Sequence, residues 1–105
     1  MTVVELLQRI KERLQILYGD RLKGVILYGS EARGDAVPDS DIDILCVLDG
    51  SVNTWKEIRA TVKATYSLKL EYLDRMFHIT PVSKEDYDNG AFAMLRFARQ
   101  EGIEI

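Results

Sequence analysis

The sequence predicts an α+β domain in which helices flank a small mixed β-sheet. Three short runs rich in β-branched and aromatic residues predict strands, and three longer stretches with apolar residues at helical spacing predict helices. The elements follow the order helix, strand, turn, strand, helix, strand, helix, which favours helices packed on one sheet. Because a chain of 105 residues supports one hydrophobic core, we expect residues 1–105 to form a single domain.

The first half of the chain contains one predicted helix and two predicted strands. Thr2 and Glu5 form a capping-box pattern, and the apolar residues that follow recur at helical spacing until Gly19. The run LKGVILY, residues 22–28, predicts the first strand, and the run DIDILCVL, residues 41–48, predicts the second. Between these strands we expect a turn and a short helix, because glycine and proline interrupt the segment.

The second half predicts a long amphipathic helix, a third strand and a last helix. The apolar side of the long helix, which we assign to the core or to an interface, carries Trp55, Ile58, Val62 and Tyr66. The alternating run LDRMFHITPV, residues 73–82, predicts a third strand, and Pro81 indicates an edge or a bulge near its end. Residues 91–101 predict the last helix, and the tail at 103–105 predicts a short edge strand.

Composition excludes several classes of protein. With 47% hydrophobic and 30% charged residues, the composition suggests neither a disordered nor a membrane protein. The net charge of −3 disfavours a broad basic surface, so we expect no direct binding to nucleic acid. The apolar runs are too short to span a membrane and the N-terminus lacks a signal peptide, which predicts a cytoplasmic protein. Cys46 is the only cysteine and is expected in the core.

Two aspartates lie close together at the start of the second predicted strand. Because side chains alternate along a strand, Asp41 and Asp43 are expected to project to one face, with Ile42 and Ile44 on the other. Like charges at that separation disfavour each other's ionised form, and a divalent cation removes this cost. The alternative interpretation is that the two carboxylates only cap neighbouring backbone groups.

The loop before these aspartates strengthens the first interpretation. Gly29 allows the backbone to approach a ligand closely, and Ser30 can begin a helical turn whose N–H groups face an anion. A phosphate-binding loop beside a pair of metal-binding carboxylates is the joint requirement of phosphoryl and nucleotidyl transfer. Together these features predict a metal-dependent nucleotide site.

The segment GSEARGDAVPDSDIDIL, residues 29–45, resembles the GSxxRG…SDxD signature of the polymerase β nucleotidyltransferase superfamily. Within that superfamily it is most similar to the minimal nucleotidyltransferase (MNT) family, and weaker similarity extends to VSKEDYDNG and RQEGIEI. The resemblance implies a polymerase β-like nucleotidyltransferase fold. It also implies that Gly29 and Ser30 hold the triphosphate of ATP, and that Asp41 and Asp43 bind Mg²⁺ as catalytic residues.

Members of this superfamily use a third carboxylate on a later strand to complete the metal site. We assign this catalytic and metal-binding role to Asp74, near the start of the third predicted strand, because it shares its parity with the polar His78. Glu71 is the second candidate. His78, the only histidine, is expected to be a partly buried strand residue, since no cysteine cluster accompanies it to form a zinc site.

Two further residues lie inside the motif. Arg33 is the matching motif arginine, which implies either a contact with the nucleotide phosphates or a structural ion pair with Asp41 or Asp39. Glu31 occupies a variable position of the motif and is expected to be a solvated surface residue.

The resemblance also implies a partner. MNT proteins are similar to antitoxins paired with HEPN-domain toxins, some of which are modified by AMP on a tyrosine, which predicts AMP transfer from ATP to a partner's hydroxyl. The alternatives are a non-catalytic antitoxin that neutralises its partner by contact, and the donor half of a small-molecule nucleotidyltransferase. Because the sequence stops at Ile105, we expect another chain to form the acceptor site, in a hetero-oligomer with the toxin or in a homodimer.

Overall fold

In the computed structural model, which describes residues 2–36 and 40–105, the chain forms a four-stranded sheet with flanking helices. The strands are β1 (Leu22–Tyr28), β2 (Ile42–Leu48), β3 (Phe77–Ser83) and β4 (Ile103–Glu104). Their order in the sheet is β3, β2, β1, β4; β1 is antiparallel to β2 and β4, and β2 is parallel to β3. The predicted α+β class with a small mixed sheet is confirmed, and β3 is an edge strand, which accommodates Pro81.

The described helices are α1 (Val3–Tyr18), α2 (Ser30–Arg33), α3 (Thr54–Glu71), α4 (Lys84–Asn89) and α5 (Ala93–Glu101). The predicted start of α1 is confirmed, because the Thr2 hydroxyl accepts a hydrogen bond from the N–H of Glu5 at 3.1 Å. None of the helices in the described ranges has the length and apolar character needed to cross a membrane.

The sheet is covered by helices on both faces. Alternate strand residues form two core clusters because strand side chains point to opposite faces in turn. The cluster against α1 and α3 contains Val25, Leu27, Ile42, Ile44, Cys46, Leu48 and Phe77. The cluster against α5 contains Ile26, Leu45, Val47, Val82, Leu95 and Ala98. Asp43 has the parity of Leu45, so its side chain projects from the face of the sheet that α5 partly covers.

The expectation that Cys46 is a core residue is confirmed. Its side chain is fully buried and forms no disulfide. Burial raises the pKa of the Cys46 thiol to about 12, because the thiolate would lose its hydration. The thiol therefore stays protonated and packs as a small apolar group.

The third strand begins four residues later than predicted. Helical hydrogen bonding continues as far as Tyr72, whose N–H donates to the carbonyl of Leu68 at 2.9 Å, and the N–H of Arg75 then donates to the carbonyl of Tyr72 at 3.1 Å. Tyr72 is buried in the core, whereas Leu73 is 77% exposed. Burial of Tyr72 extends the helical end into a turn, so the predicted span 73–82 is wrong in its first part.

Helix α3 presents its polar side to the sheet. The side chains that it buries are Glu57, Thr61, Thr65 and Leu68. Those on its exposed side include Trp55 (72% exposed), Val62, Tyr66 and Leu70. The prediction that Trp55 and Tyr66 lie in the core is therefore wrong, and their assignment to an interface stays a prediction.

Internal hydrogen bonds offset the cost of burying the polar side chains of α3. The hydroxyl of Thr65 donates to the carbonyl of Thr61 at 2.8 Å, and the hydroxyl of Thr61 donates to the carbonyl of Ile58 at 3.0 Å. The carboxylate of Glu57 accepts from the hydroxyl of Tyr18 and from the guanidinium of Arg21, each at 3.1 Å. Buried polar groups that are paired in this way avoid most of the cost of desolvation.

The orientation of α3 can be tested by two substitutions on the same helix. Leu68→Ala should lower the free energy of unfolding by about 2–5 kcal/mol, because Leu68 is completely buried. Trp55→Ala should change it by less than about 0.5 kcal/mol, because Trp55 lies in solvent. Urea denaturation followed by circular dichroism measures both, and the reverse ranking would mean that the apolar side of α3 faces the core.

Candidate active site

The loop that follows β1 approaches the carboxylate of Asp43 closely. Gly29 has φ 77° and ψ −154°, a backbone conformation that L side chains rarely adopt. A Cβ at Gly29 would also lie only 2.8 Å from Oδ2 of Asp43. Glycine is therefore favoured here by its backbone conformation, and any other side chain would also have to displace the carboxylate of Asp43. The carbonyl of Gly29 then accepts the N–H of Arg33 at 3.1 Å, which closes the turn of α2 that starts at Ser30.

The two motif aspartates lie at the point where β2 begins. Asp43 is the second residue of β2, is partly buried and pairs with Tyr28 across the antiparallel ladder. Asp41 precedes the strand and is about half exposed. The N–H of Ile42 between them donates to the carbonyl of Met76 at 2.9 Å, which fixes the backbone at this end of the sheet.

His78 lies beside both aspartates, a neighbour that the sequence did not reveal. It pairs with Asp43 across the parallel ladder, and its Nε2 lies 3.0 Å from Oδ2 of Asp41. The expectation of a partly buried His78 is wrong, since its side chain is 53% exposed. His78 is the second residue of β3, as Asp43 is of β2. These matching positions indicate that the two side chains are neighbours only once β2 and β3 are known to be parallel.

Burial and charge both act on the proton affinity of Asp43. Burial is the largest influence and raises the pKa of Asp43 above its ordinary value, because the carboxylate loses hydration. The imidazole of His78 opposes this rise, and the negative charge of Asp41 adds to it. Asp43 is thus a carboxylate whose ionised form is disfavoured in the absence of a cation.

Asp74 does not lie on the third strand. It lies in the turn between α3 and β3, exposed, where it lines a small cavity with Thr2 and Tyr72. Glu71, the second candidate, ends α3 and pairs with the guanidinium of Arg9 at 2.6 Å. Across residues 2–36 and 40–105, no group of three or more His, Cys, Asp or Glu side chains is arranged to hold a metal. The role of Asp74 as a third ligand therefore stays a prediction.

Arg33 forms ion pairs, but not with the expected carboxylates. Its Nε lies 3.2 Å from Oδ2 of Asp35, and its Nη1 lies 3.4 Å from Oε2 of Glu101 on α5. Arg33 and Asp41 form no ion pair, and the carboxylate of Asp41 contacts His78; Asp39 lies outside the described residues. A contact between Arg33 and phosphate stays a prediction.

Glu31 is not the solvated surface residue that the motif suggested. Its side chain is only 17% exposed and forms an ion pair with Arg75, which also donates to the carbonyl of Ser40 at 3.0 Å. Arg75 thereby connects α2 to the segment that leads into Asp41. Sequence reasoning missed Arg75, because its two partners are distant in the chain and only the fold brings them together.

A cavity of about 600 Å³ adjoins the Gly29 loop. Its lining residues are Tyr28, Gly29, Arg33, Met94, Phe97 and Glu101. The side chains of α5 form one wall, and Tyr28 at the end of β1 forms another, with its hydroxyl 3.6 Å from Sδ of Met94. The cavity therefore lies next to the loop expected to hold phosphates.

The sequence matches the model of one protein family, the nucleotidyltransferase domain, over residues 6–88. A candidate protein adenylyltransferase of Methanocaldococcus jannaschii is 37% identical over 75 residues, which cover 70% of this chain and 75% of that protein. A second candidate protein adenylyltransferase of the same organism is 35% identical over 85 residues, which cover 80% of this chain and 53% of that protein.

Two solved structures share the architecture. A candidate nucleotidyltransferase of Sulfolobus solfataricus superposes with a TM-score of 0.69 at 21% identity, covering 96% of this chain and 77% of that one. A toxin–antitoxin structure with AMP-PNP superposes with a TM-score of 0.62 at 16% identity, covering 92% of this chain and 70% of that one. At these identities the likeness is one of fold, and it confirms the predicted nucleotidyltransferase fold.

The raised pKa of Asp43 predicts that the stability of the fold depends on pH. Because the folded state raises the pKa of this carboxyl above about 3.8, it binds the proton more tightly than the unfolded chain, and ionisation destabilises the fold. Asp43→Asn should therefore raise the free energy of unfolding at pH 7, and the gain should disappear well below pH 3.8, where the carboxyl is protonated in both states.

Urea denaturation in EDTA at both pH values measures this gain. Asp20→Asn, at an exposed position beyond the other end of β1, is the matched control and should show no comparable difference between the two pH values. A loss of stability at pH 7 in Asp43→Asn would contradict the assignment.

Proposed function

Because the chain belongs to the nucleotidyltransferase domain family, we propose that it transfers AMP from ATP, with Mg²⁺, to a hydroxyl group of a partner protein. The observation that carries the proposal is the convergence of Gly29, Asp41 and Asp43 where β1 ends and β2 begins. A backbone without a Cβ packs there against one carboxylate while a second lies beside it. This arrangement suits a nucleotide whose phosphates and metal must lie side by side.

The two aspartates fit the requirements of Mg²⁺. This ion prefers oxygen ligands and is held in proteins by one or two carboxylates together with substrate phosphates and water. The raised pKa of Asp43, caused first by burial and then by the charge of Asp41, is a cost that a bound cation would relieve. When bound, Mg²⁺ would neutralise charge on the phosphates during in-line displacement.

The proposed reaction replaces a phosphoanhydride bond of ATP by a phosphoester bond to the partner, and pyrophosphate leaves. The partner's hydroxyl oxygen bonds to the α-phosphorus, the bond from that phosphorus to the pyrophosphate oxygen breaks, and the hydroxyl proton passes to a base or to water. Gly29 and Ser30 would hold the triphosphate. Arg33 would reach it by leaving Asp35 and Glu101, a small cost, because water screens ion pairs that are exposed to this extent.

The comparisons support a protein as acceptor. The relatives are named as candidate protein adenylyltransferases, and one similar structure is a toxin–antitoxin assembly. We propose that the partner is a HEPN-domain toxin encoded by a neighbouring gene. The exposed side of α3 offers apolar side chains that such a partner would bury. We call this set the α3 stripe and define it as Trp55, Val62, Tyr66 and Leu70.

A second function is neutralisation by contact without catalysis. It is favoured by one observation: the position of β3 next to Asp43 carries His78 and not a carboxylate. A site with two carboxylates would bind nucleotide and metal while turning over slowly. Under this alternative the chain would still bind the partner through the α3 stripe.

Transfer should depend on the two aspartates. Asp41→Asn and Asp43→Asn should each lower AMP transfer roughly 100-fold or more, because metal catalysis contributes several kcal/mol and each 1.36 kcal/mol is a factor of ten in rate. The measurement is incorporation of label from α-³²P-ATP into the neighbouring HEPN protein, with the added AMP confirmed by mass spectrometry. Asp20→Asn is the control and should transfer at the wild-type rate.

The outcomes separate the two functions. If Asp43→Asn loses transfer and no longer protects cells that express the toxin, modification is the mechanism. If Asp43→Asn protects cells as well as the wild type, the mechanism is neutralisation by contact.

Asp74→Asn tests the third metal ligand. An unchanged rate of AMP transfer in this variant would exclude Asp74 from the site. A loss of transfer in Glu71→Gln alone would assign the role to Glu71.

Association should depend on the α3 stripe. The double change Trp55→Ser, Tyr66→Ser should weaken binding to the HEPN protein by about tenfold or more, since exposed aromatic residues commonly dominate interface energies. Ile16→Ser on α1, where the side chain is 82% exposed, is the matched control and should bind normally. Isothermal titration calorimetry measures both, and equal affinities would show that the partner binds elsewhere.

A further inference from the structure

The cavity beside Gly29 is lined in part by side chains of α5 that do not pack in the core. Helix α5 is anchored to the sheet by Leu95 and Ala98, which are fully buried. On another side of the same helix, Met94 is 36% exposed and Phe97 is 60% exposed, and both line the cavity. A large aromatic ring left in solvent at the wall of a concave site is more typical of a binding surface than of a structural contact.

The cavity is continuous with the proposed phosphate site. Gly29 lines the cavity and also packs against the carboxylate of Asp43, so one residue borders both regions. Arg33, the last residue of α2, lines the cavity as well. A nucleotide whose phosphates lie at Gly29 and Ser30 therefore has this cavity beside it for the rest of the molecule.

The chemistry of the lining fits a planar aromatic ligand. Tyr28, Met94 and Phe97 supply two rings and a thioether, which offer flat and polarisable surface. Arg33 and Glu101 supply polar atoms at the boundary of the same cavity. A mostly apolar lining with a few polar groups is the usual composition of a small-molecule site, and about 600 Å³ lies within the usual range of volumes.

We propose that this cavity holds the purine base of the donor nucleotide, with the base stacked on Phe97 and Met94. The proposal rests on the proposed function, because it takes the position of the phosphates from it. Stacking on an aromatic ring depends on the π-face of the base, and a purine covers more of the ring and the thioether than a pyrimidine does. The cavity would thereby make purine nucleotides the preferred donors and leave inorganic polyphosphate without this contact.

The test compares nucleotides with a ligand that has phosphates alone. Isothermal titration calorimetry with Mg²⁺ should give a dissociation constant for ATP about tenfold lower than for CTP and for inorganic tripolyphosphate. Phe97→Ala should weaken ATP binding by about tenfold, which corresponds to about 1.4 kcal/mol, and should leave tripolyphosphate binding unchanged. Phe97→Tyr keeps an aromatic ring and should retain the affinity for ATP.

The chain offers a matched control in Phe92. This residue is also 60% exposed and lies just before α5, but it lines a different cavity with residues such as Asp49 and Ser83. Phe92→Ala should therefore leave the affinity for ATP unchanged. Because both phenylalanines are exposed, neither change should disturb folding, which the melting temperature of each variant checks.

Several results would overturn the proposal. It fails if Phe97→Ala binds ATP as tightly as the wild type, or if that change weakens ATP and tripolyphosphate equally. It also fails if Phe97→Ala raises only the KM for the partner protein, since the cavity would then hold the acceptor. Absence of ATP binding would overturn this proposal and the proposed function together. Normal binding with the expected effect of Phe97 but no AMP transfer would overturn only the proposed function.

Discussion

The contact between the backbone of Gly29 and the carboxylate of Asp43 is the constraint on which the site depends. Antiparallel pairing of β1 with β2 aligns Tyr28 with Asp43, and the chain must turn immediately afterwards. A residue with a Cβ would be strained at that turn because φ is 77°, and its Cβ would also have to displace Oδ2 of Asp43. The Gly29 loop and the carboxylate of Asp43 are thus positioned by a single register of the sheet.

The charges around this contact form a chain of pairs along the rim of the sheet. His78 contacts Asp41, Arg75 connects Glu31 to the carbonyl of Ser40, and Arg33 joins α2 to α5 through Glu101. The contact of Asp41 with His78 and the ion pair of Arg33 with Glu101 are both partly exposed. Water therefore weakens them, and a ligand can replace them at small cost. The pair of Glu31 and Arg75 is more buried and holds the loop that carries the motif. The site thus combines a fixed backbone with side chains that are free to change partners.

The elements whose signals are local were predictable from the sequence. The capping box of α1 and the apolar runs of β1 and β2 each specify their structure through neighbouring residues. The failures concern long-range contacts. Hydrogen bonds inside α3 make Thr61 and Thr65 acceptable in the core, which composition alone does not indicate. The position of Asp74 in a turn depended on the burial of Tyr72, and the position of His78 depended on strand pairing.

The outward side of α3 has a practical consequence for spectroscopy. Trp55 is the only tryptophan of the chain and is 72% exposed, so its indole ring is already in water in the folded protein. Because indole emission follows the polarity of its surroundings, the intrinsic fluorescence of this protein should change little on unfolding. The same emission should shift to shorter wavelength when another molecule covers α3. A signal normally used to monitor folding is here a label-free reporter of association.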